Sequence, residues 1–271
     1  SMESLAIIAE FNPFHTGHAR LIRQVRQAAG PEAAIVIIMS GAFVQRGEPA
    51  FFDKWHRAAW AIDGGADVVI ELPAVYALSS AAGFAQGGVT LAARLGCQAL
   101  ACGVEGGTAA DFLSLAHRAE GLTACLKAAK KSSAGQQLTD ALMAAAPDEA
   151  RLLQQPNALL AFEYARAMLK QEQPLTFLPL PRQGRHGDTG LGAAFACASA
   201  LRQAMRCSGT AAACRPYLTA ASLAGAEDQL AQGAFTDYGR YGDFVASQNR
   251  LLTPDQLRSL PAFTEGLENR W

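Results

Sequence analysis

The chain has 271 residues, half of them hydrophobic, and its 23 basic residues nearly balance 24 acidic ones. This length and apolar content are enough to bury a full core, in one large domain or two smaller ones. The net charge of −1 excludes the strongly basic surface typical of nucleic-acid-binding chains, so any RNA contact must use a local patch.

Four short apolar runs, rich in aliphatic and β-branched residues and bounded by turn residues, are predicted to be strands. None of them alternates strictly between apolar and polar residues, which indicates a parallel sheet with helices on both faces, a Rossmann-like α/β fold. Ligand sites in such sheets lie at the carboxyl ends of the strands. The predicted strands are 5–9, 34–39, 66–72 and 98–102, and the helical patterns between them are 16–29, 54–63 and 80–95.

The second half of the chain is predicted to be mostly helical. Pro156 interrupts the longest helical pattern there, and a glycine-rich charged loop follows the one further strand. The predicted elements are helices at 111–130, 135–146 and 148–170, a strand at 175–180, a helix at 196–205, and helical fragments over 207–271.

The six cysteines form no CxxC pair and no spacing that suggests a zinc site, so buried free thiols in a reducing cytoplasm are expected. No side chain is predicted to bind a metal. The N-terminal apolar run is too short for a signal peptide. The longest uncharged run, 72–93, contains a proline and many small or polar residues, and we predict a strand end, a loop and a helix there rather than a membrane segment.

The segment 5–22, LAIIAEFNPFHTGHARLI, is the most informative part of the sequence. It is predicted to form a strand, a tight turn and the start of a helix near Thr16. The helix then has its free backbone N–H groups beside His15 and His18, the arrangement that receives phosphate. The two rings share a helix face, and Gly17 between them leaves the backbone open to a flat ligand. The residues alone therefore indicate an α/β nucleotide-binding enzyme that transfers AMP.

Several strings resemble one family in order along the chain. AEFNPFHTGH resembles the HxGH signature of adenylyl-transferring nucleotidyltransferases, and more specifically that of bacterial tRNA(Met) cytidine acetate ligases. The resemblance implies the nucleotidyltransferase fold and two reactions: ATP and acetate give acetyl-adenylate, and the acetyl group passes to N4 of the wobble cytidine in elongator tRNA(Met). The further matching strings lie at 39–73, 95–107, 156–168 and 265–270.

The resemblance also implies roles for individual residues, with ATP as the nucleotide. Catalytic roles fall on His15, His18 and Arg182. Contacts with the acetate or tRNA substrate are predicted for Ser40, Gly41, Arg46 and Lys54. The predicted nucleotide contacts are Ile8, Ala9, Glu10, Phe11, Asn12, Pro13, Thr16, Gly17, Gly103, Asn157, Ser199 and Arg202.

Some of these assignments have ordinary structural alternatives. Gly103 could be a turn glycine, Asn157 a helix cap, and Arg202 a solvated helix residue. The stretch 197–202 has fewer hydroxyl groups than the family usually carries, which predicts a weaker grip on phosphate. Mg²⁺ is expected as the counter-ion of ATP, and Glu10 and Glu105 are candidates to orient the ligand or this ion.

The predicted domains are a nucleotidyltransferase-like catalytic domain over 1–208, with a helical insertion at about 109–170, and the start of a helical domain over 209–271. Family members normally continue beyond 265–270 into a basic helical segment, so the tRNA half of the reaction is expected to be weaker here. Two other functions remain open: a small-molecule adenylyltransferase using ATP, and a non-catalytic nucleotide- or RNA-binding module. The expected partners are ATP, acetate and tRNA, with no membrane; the oligomeric state is not predicted.

Overall fold

The computed structural model describes residues 3–128, 134–182 and 197–260, and the side chains of Arg46 and of 125–128 and 134–137 lie outside that description. The described residues form two compact units, one up to Ala234 and one from Phe235. The predicted strands are confirmed, with small shifts at their ends. They are β1 (Ser4–Ala9), β2 (Ala34–Ser40), β3 (Val68–Leu72), β4 (Ala99–Val104) and β5 (Thr176–Pro181).

These five strands form one parallel sheet in the order β3-β2-β1-β4-β5. The chain begins in the centre of the sheet, moves outward through β2 and β3, and then crosses back to β4 on the other side of β1. The strand order therefore reverses at β1, and a parallel sheet opens a crevice at the carboxyl ends of the strands that flank such a point. The segment after β1 is the turn that carries His15 and His18.

Helices cover both faces of the sheet, as predicted. The described helices of the first unit are α1 (Thr16–Ala29), α2 (Lys54–Asp63), α3 (Ala74–Ala77), α4 (Ala81–Arg94), α5 (Ala109–Ala128), α6 (Ala134–Ala145), α7 (Pro147–Ala150), α8 (Ala158–Met168), α9 (Ala198–Ser208) and α10 (Ala220–Ala231). The second unit contains α11 (Tyr238–Arg250) and α12 (Pro254–Arg258).

Alternate side chains of β1 show how the two faces are packed. Ala6 and Ile8 belong to one buried cluster with Phe84 of α4. Leu5 and Ile7 are equally buried and must point to the opposite face, because successive side chains of a strand alternate. Helix α1, which contacts β2 and β4, covers that face.

One predicted helix is divided in the structure. The pattern at 148–170 is split into α7, a 3₁₀ turn at Arg151–Gln154, and α8, because Pro156 interrupts it. The long uncharged run holds the short α3 and most of α4. Within the described residues, no helix is long and apolar enough to cross a membrane.

Two helical glycines differ in what an added methyl group would meet. A Cβ on Gly88 of α4 would lie 2.6 Å from Cδ1 of Ile8, whereas a Cβ on Gly121 of α5 would meet nothing within 4 Å. We expect Gly88→Ala to lower the free energy of unfolding by about 1–3 kcal/mol, because it overpacks the contact with β1. The matched Gly121→Ala should raise it by about 0.5–1 kcal/mol through helix propensity.

Urea unfolding of the two glycine variants beside the unchanged protein measures both effects. Equal stability of the two variants would contradict the close approach of α4 to β1.

Candidate functional site

The turn after β1 is fixed by contacts from two distant segments. The Asn12–Pro13 peptide is cis, and Phe11 has a φ of 49°. The Oδ1 atom of Asn12 accepts the Phe51 N–H at 2.8 Å. Nη1 of Arg202, on α9, donates to the Asn12 carbonyl at 2.7 Å. The backbone of the turn is therefore held by both the loop after β2 and the helix predicted to bind phosphate.

His15 and His18 form a mutually supporting pair at the start of α1. Nδ1 of His15 accepts the Gly17 N–H at 3.0 Å, and Nδ1 of His18 accepts the His15 N–H at 3.2 Å. The two rings stack with their centroids 3.6 Å apart. Because both Nδ1 atoms accept hydrogen bonds, each neutral ring carries its hydrogen on Nε2 and keeps that N–H as a donor.

This geometry bears on two expectations about the helix start. The backbone N–H groups of His15 and Gly17 are used by the imidazoles themselves, so the rings rather than these N–H groups present the donors. Gly17 also makes room for a side chain: a Cβ there would lie 2.8 Å from Cε1 of His15. The glycine is required because the His15 ring folds back over it to cap the helix.

Both histidines are held in the neutral form. Burial, and then the positive charge of Arg182, together lower the pKa of His15 to about 4. Burial, then His15 and Arg182, lower the pKa of His18 well below its ordinary value. At neutral pH the pair therefore offers two uncharged N–H donors, which contribute no positive charge of their own.

The lowered pKa of His15 predicts a specific loss of stability in acid. The unfolded chain takes up the proton near pH 6.5 and the folded chain only near pH 4, so the free energy of unfolding falls as the pH drops through this window. The expected contribution of His15 is about 3 kcal/mol at pH 4, from about 1.4 kcal/mol per pKa unit.

His15→Asn is the matched variant for this effect, since asparagine is also a good helix cap but does not titrate. The stability difference between the unchanged protein and this variant should shift by that amount between pH 7 and pH 4, measured by urea unfolding. A difference that is the same at both pH values would contradict the buried, neutral state of His15.

A cleft of about 230 Å³ opens at the carboxyl ends of β1 and β4. It brings together many residues that the sequence predicted to be functional. The predicted residues in its lining are Ile8, Ala9, Glu10, Phe11, Asn12, His18, Gly103, Asn157, Arg182 and Arg202. The remaining lining residues are Ile7, Leu21, Gln45, Phe84, Cys102, Leu160, Ala161, Tyr164 and Ala198.

One end of the cleft is built by β4, β5 and the start of α8. The Arg182 N–H donates to the Val104 carbonyl at 2.7 Å, and the Arg182 side chain crosses Gly103, where a Cβ would lie 3.0 Å from its Cγ. Glu105 accepts both the backbone N–H of Asn157, at 3.2 Å, and its Nδ2 group. The two oxygens of the Glu105 carboxylate thus hold the backbone and the side chain of Asn157 at the cleft, which Gly103 also lines.

Comparison with known proteins places this geometry in a family. Residues 2–271 match the family described as HIGH Nucleotidyl Transferase. The chain is 36% identical over 273 residues to the tRNA(Met) cytidine acetate ligase of Pediococcus pentosaceus, a match that covers 99% of this chain and 69% of that one. The chain belongs to the tRNA(Met) cytidine acetate ligase family of HIGH nucleotidyltransferases. It is also 41% identical to the ligase of Syntrophomonas wolfei over 217 residues, 75% of this chain and 51% of that one.

A solved structure agrees with the family assignment. The crystal structure of Thermotoga maritima TmcAL bound with alpha-thio ATP matches with a TM-score of 0.85 and 30% identity, covering 99% of this chain and 66% of that chain. The described residues therefore have the fold of this solved relative, and the chain spans about two thirds of its length.

The structure bears on the ordinary structural alternatives for Asn157, Arg202 and Gly103. Asn157 occupies the N-cap position of α8, but its side chain makes no capping hydrogen bond, and its Nδ2 group donates to Glu105. Arg202 is not simply solvated, since it donates to the Asn12 carbonyl and lines the cleft. Gly103 is the second-last residue of β4, paired with Leu180 of β5, so it is a strand residue rather than a turn glycine, and it lies in the cleft lining.

Other predicted residues lie outside the lining. His15 stacks on His18, and Ser199 follows the lining residue Ala198 on α9. The Ser40 side chain is fully buried at the end of β2. Pro13, Thr16, Gly17 and Gly41 are likewise absent from the lining, and the Arg46 side chain and the loop at 183–196 lie outside the described residues.

Lys54 has a structural partner in the described chain. Its Nζ lies 2.6 Å from Oε2 of Glu71, at the end of β3. A Cβ on Gly41 would clash with the same carboxylate. Lys54, Gly41 and Glu71 therefore form a small polar cluster at the ends of β2 and β3, separate from the cleft lining.

Sequence reasoning missed Arg57, which has the largest fully buried side chain among the residues that the structure describes. Its guanidinium donates to the carbonyls of Glu10 at 2.6 Å, Ser40 at 3.0 Å and Phe52 at 3.1 Å, and also to that of Gly41. These bonds join the carboxyl ends of β1 and β2. The one signal in the sequence is an arginine at a buried position of α2, three residues before the buried Trp60.

Proposed function

We propose that this chain activates acetate with ATP and transfers the acetyl group to N4 of the wobble cytidine in elongator tRNA(Met). The observation that supports the first step most directly is the neutral histidine pair, of which His18 lines the cleft together with Arg182 and Arg202. Neutral and charged donors that are fixed before the ligand arrives stabilise a phosphoryl group as its charge is redistributed.

The proposed chemistry requires no protein nucleophile. An acetate oxygen forms a bond to the α-phosphorus of ATP, and the bond to the β-phosphate bridging oxygen breaks, which releases pyrophosphate. The cytidine amine then attacks the acetyl carbon, loses a proton, and displaces AMP. The chain contributes mainly the orientation of reactants and the stabilisation of charge.

We assign the nucleotide end of the cleft to the residues around β4 and β5. The base and ribose would lie by Gly103 and Asn157, and the phosphates by His15, His18 and the two arginines. The other first-turn residues, Pro13, Thr16 and Gly17, would support this arrangement, and Ser199 would add a hydroxyl donor at α9. Ser40, Gly41, Arg46 and Lys54 stay proposed substrate contacts near the end of β2.

Mg²⁺ is proposed to enter with ATP. Within the described residues, no group of three or more His, Cys, Asp or Glu side chains could hold a metal ion. Glu105 is engaged with Asn157, and Glu10 accepts the Gln45 N–H at 2.9 Å. This donor set fits a Mg²⁺ held by phosphate oxygens and water, as is usual for this ion, and the ion would neutralise part of the phosphate charge.

The tRNA step rests on the family and on the relatives' names. We propose that residues 1–208 carry the adenylation chemistry and that 209–271 begin the helical domain that serves tRNA, in the cytoplasm. The alternatives, a small-molecule adenylyltransferase or a non-catalytic module, are disfavoured by the acetate ligase relatives that match nearly the whole chain.

Pyrophosphate release from ATP, with and without acetate and bulk tRNA, tests the proposal, followed by mass spectrometry of the tRNA nucleosides. Acetate-dependent release with N4-acetylcytidine in the tRNA is the expected result. Pyrophosphate release that does not depend on acetate would contradict acetate activation. Acetate-dependent release without N4-acetylcytidine in the tRNA would restrict the activity of this chain to adenylation.

A further inference from the structure

The end of the cleft at β1 and β2 carries two buried amide donors without a partner. Within the described residues, Nδ2 of Asn12 and Nε2 of Gln45 are buried and make no hydrogen bond, and both residues line the cleft. Asn12 is 3% exposed. A buried donor without an acceptor is costly, and a polar ligand is one explanation for its retention.

Each residue is also held in place by another of its polar groups. Oδ1 of Asn12 accepts the Phe51 N–H, and the backbone N–H of Gln45 donates to Oε1 of Glu10. The two side-chain NH₂ groups are buried donors that remain available to a ligand. Since amide NH₂ groups only donate, the ligand must present oxygen acceptors.

Charges of both signs surround Glu10 at this end. Burial raises the pKa of Glu10, the Gln45 N–H, Arg202 and Arg57 lower it, and Glu48 raises it. The two unpartnered amide donors themselves carry no charge. A ligand here is held by neutral donors, which suits a small, singly charged acid rather than the phosphate chain of ATP.

The end of the cleft at β1 and β2 also lies on the opposite side of β1 from the proposed adenosine site. Gln45 follows β2 and Asn12 follows β1, whereas Gly103 and Arg182 lie at the ends of β4 and β5. The sheet order puts β2 and β4 on opposite sides of β1. A ligand bound by Gln45 and Asn12 therefore approaches the phosphates from the side opposite the proposed adenosine site.

We propose that Nε2 of Gln45 and Nδ2 of Asn12 bind the carboxylate of acetate and present one of its oxygens to the α-phosphorus. This assignment rests on the proposed function, which supplies the identity of the acid. The oxygen that attacks forms the new bond to phosphorus as the bond to pyrophosphate breaks, while the other carboxylate oxygen stays with the amide donors.

Gln45→Leu tests the proposal cleanly, because the backbone N–H that binds Glu10 is retained while the side-chain amide is lost. We expect the KM for acetate in pyrophosphate release to rise tenfold or more, since a hydrogen bond to a charged group is lost, while the KM for ATP changes less than twofold. Gln86→Leu is the matched control. Gln86 is also half-buried, but it bonds Thr90 and lies outside the lining.

A binding measurement separates this inference from the proposed function. Saturation transfer from the protein to the methyl protons of acetate, with a non-hydrolysable ATP analogue present, should occur in the unchanged protein and in Gln86→Leu and be lost in Gln45→Leu. If the unchanged protein shows this transfer but no acetate-dependent turnover, the proposed function fails and the subsite stands. The subsite is overturned by an unchanged KM for acetate in Gln45→Leu, by an equal rise in the KM for ATP, or by no transfer in the unchanged protein.

Discussion

Replacing His18 by asparagine should slow acetate-dependent pyrophosphate release by about 10²–10³-fold, the usual cost of removing one fixed donor to a developing charge. Asparagine can keep the acceptor that Nδ1 of His18 offers to the His15 N–H, because its Oδ1 lies at a similar distance from the backbone. It lacks the Nε2–H donor. The variant therefore removes the proposed phosphate contact while the start of α1 stays capped.

His18→Gln is the complementary variant. Its Nε2 group can reach the position of the imidazole Nε2, but its side chain offers no acceptor in place of Nδ1. We expect this variant to retain activity within about tenfold of the unchanged protein and to lose about 1 kcal/mol of stability, as on removal of a helix cap. Equal losses of rate in the two variants, or near-normal turnover in His18→Asn, would show that the Nε2–H donor is not what the reaction needs.

The sheet could be predicted because each strand is indicated by residues that are adjacent in the sequence. Each strand is a short apolar run bounded by turn residues, and the lack of strict alternation follows from burial on both faces. The same is true of the strand ends, since parallel strands place their carboxyl ends at one edge and so collect the turn after β1, Gly103 and Arg182.

The role of Gly17 could not be predicted from the residue types. A glycine between two histidines is consistent with close approach of a ligand, and it is equally consistent with a ring that folds back over the backbone. Which of the two applies depends on the rotamer of His15, and that rotamer is set by the cap it makes with the Gly17 N–H. The rotamer of His15 depends on three-dimensional packing, and the spacing of the two histidines in the sequence does not reveal it.

Gln45 and Arg57 were missed for a related reason. Glutamine in a loop and arginine in a helix are usually solvated, and hydrophobic patterning gives no signal for a polar residue that is buried. Their environments arise from the pairing of β1 with β2, which brings the loop after β2 and the start of α2 against the end of β1. Polar burial of this kind depends on contacts between segments about 35 to 47 residues apart.

Arg57→Met should produce the largest loss of stability, about 3–5 kcal/mol, because it leaves buried carbonyl oxygens at the ends of β1 and β2 without their donor. Arg57→Lys keeps a charge and part of the donor set, so we expect roughly half that loss. Arg23→Met on the exposed side of α1 is the matched control and should change stability by less than about 0.5 kcal/mol.

Urea unfolding at pH 7 measures the three arginine variants. The graded order, with Met worse than Lys and Lys worse than the Arg23 control, is the decisive result, because a guanidinium that only fills space would be replaced well by the methionine side chain. The Glu10 carbonyl bound by Arg57 immediately precedes the turn that positions the histidine pair. Arg57→Lys should therefore also lower kcat for pyrophosphate release at temperatures where it remains folded, and a stability loss without any change in kcat would limit Arg57 to holding the two strands together.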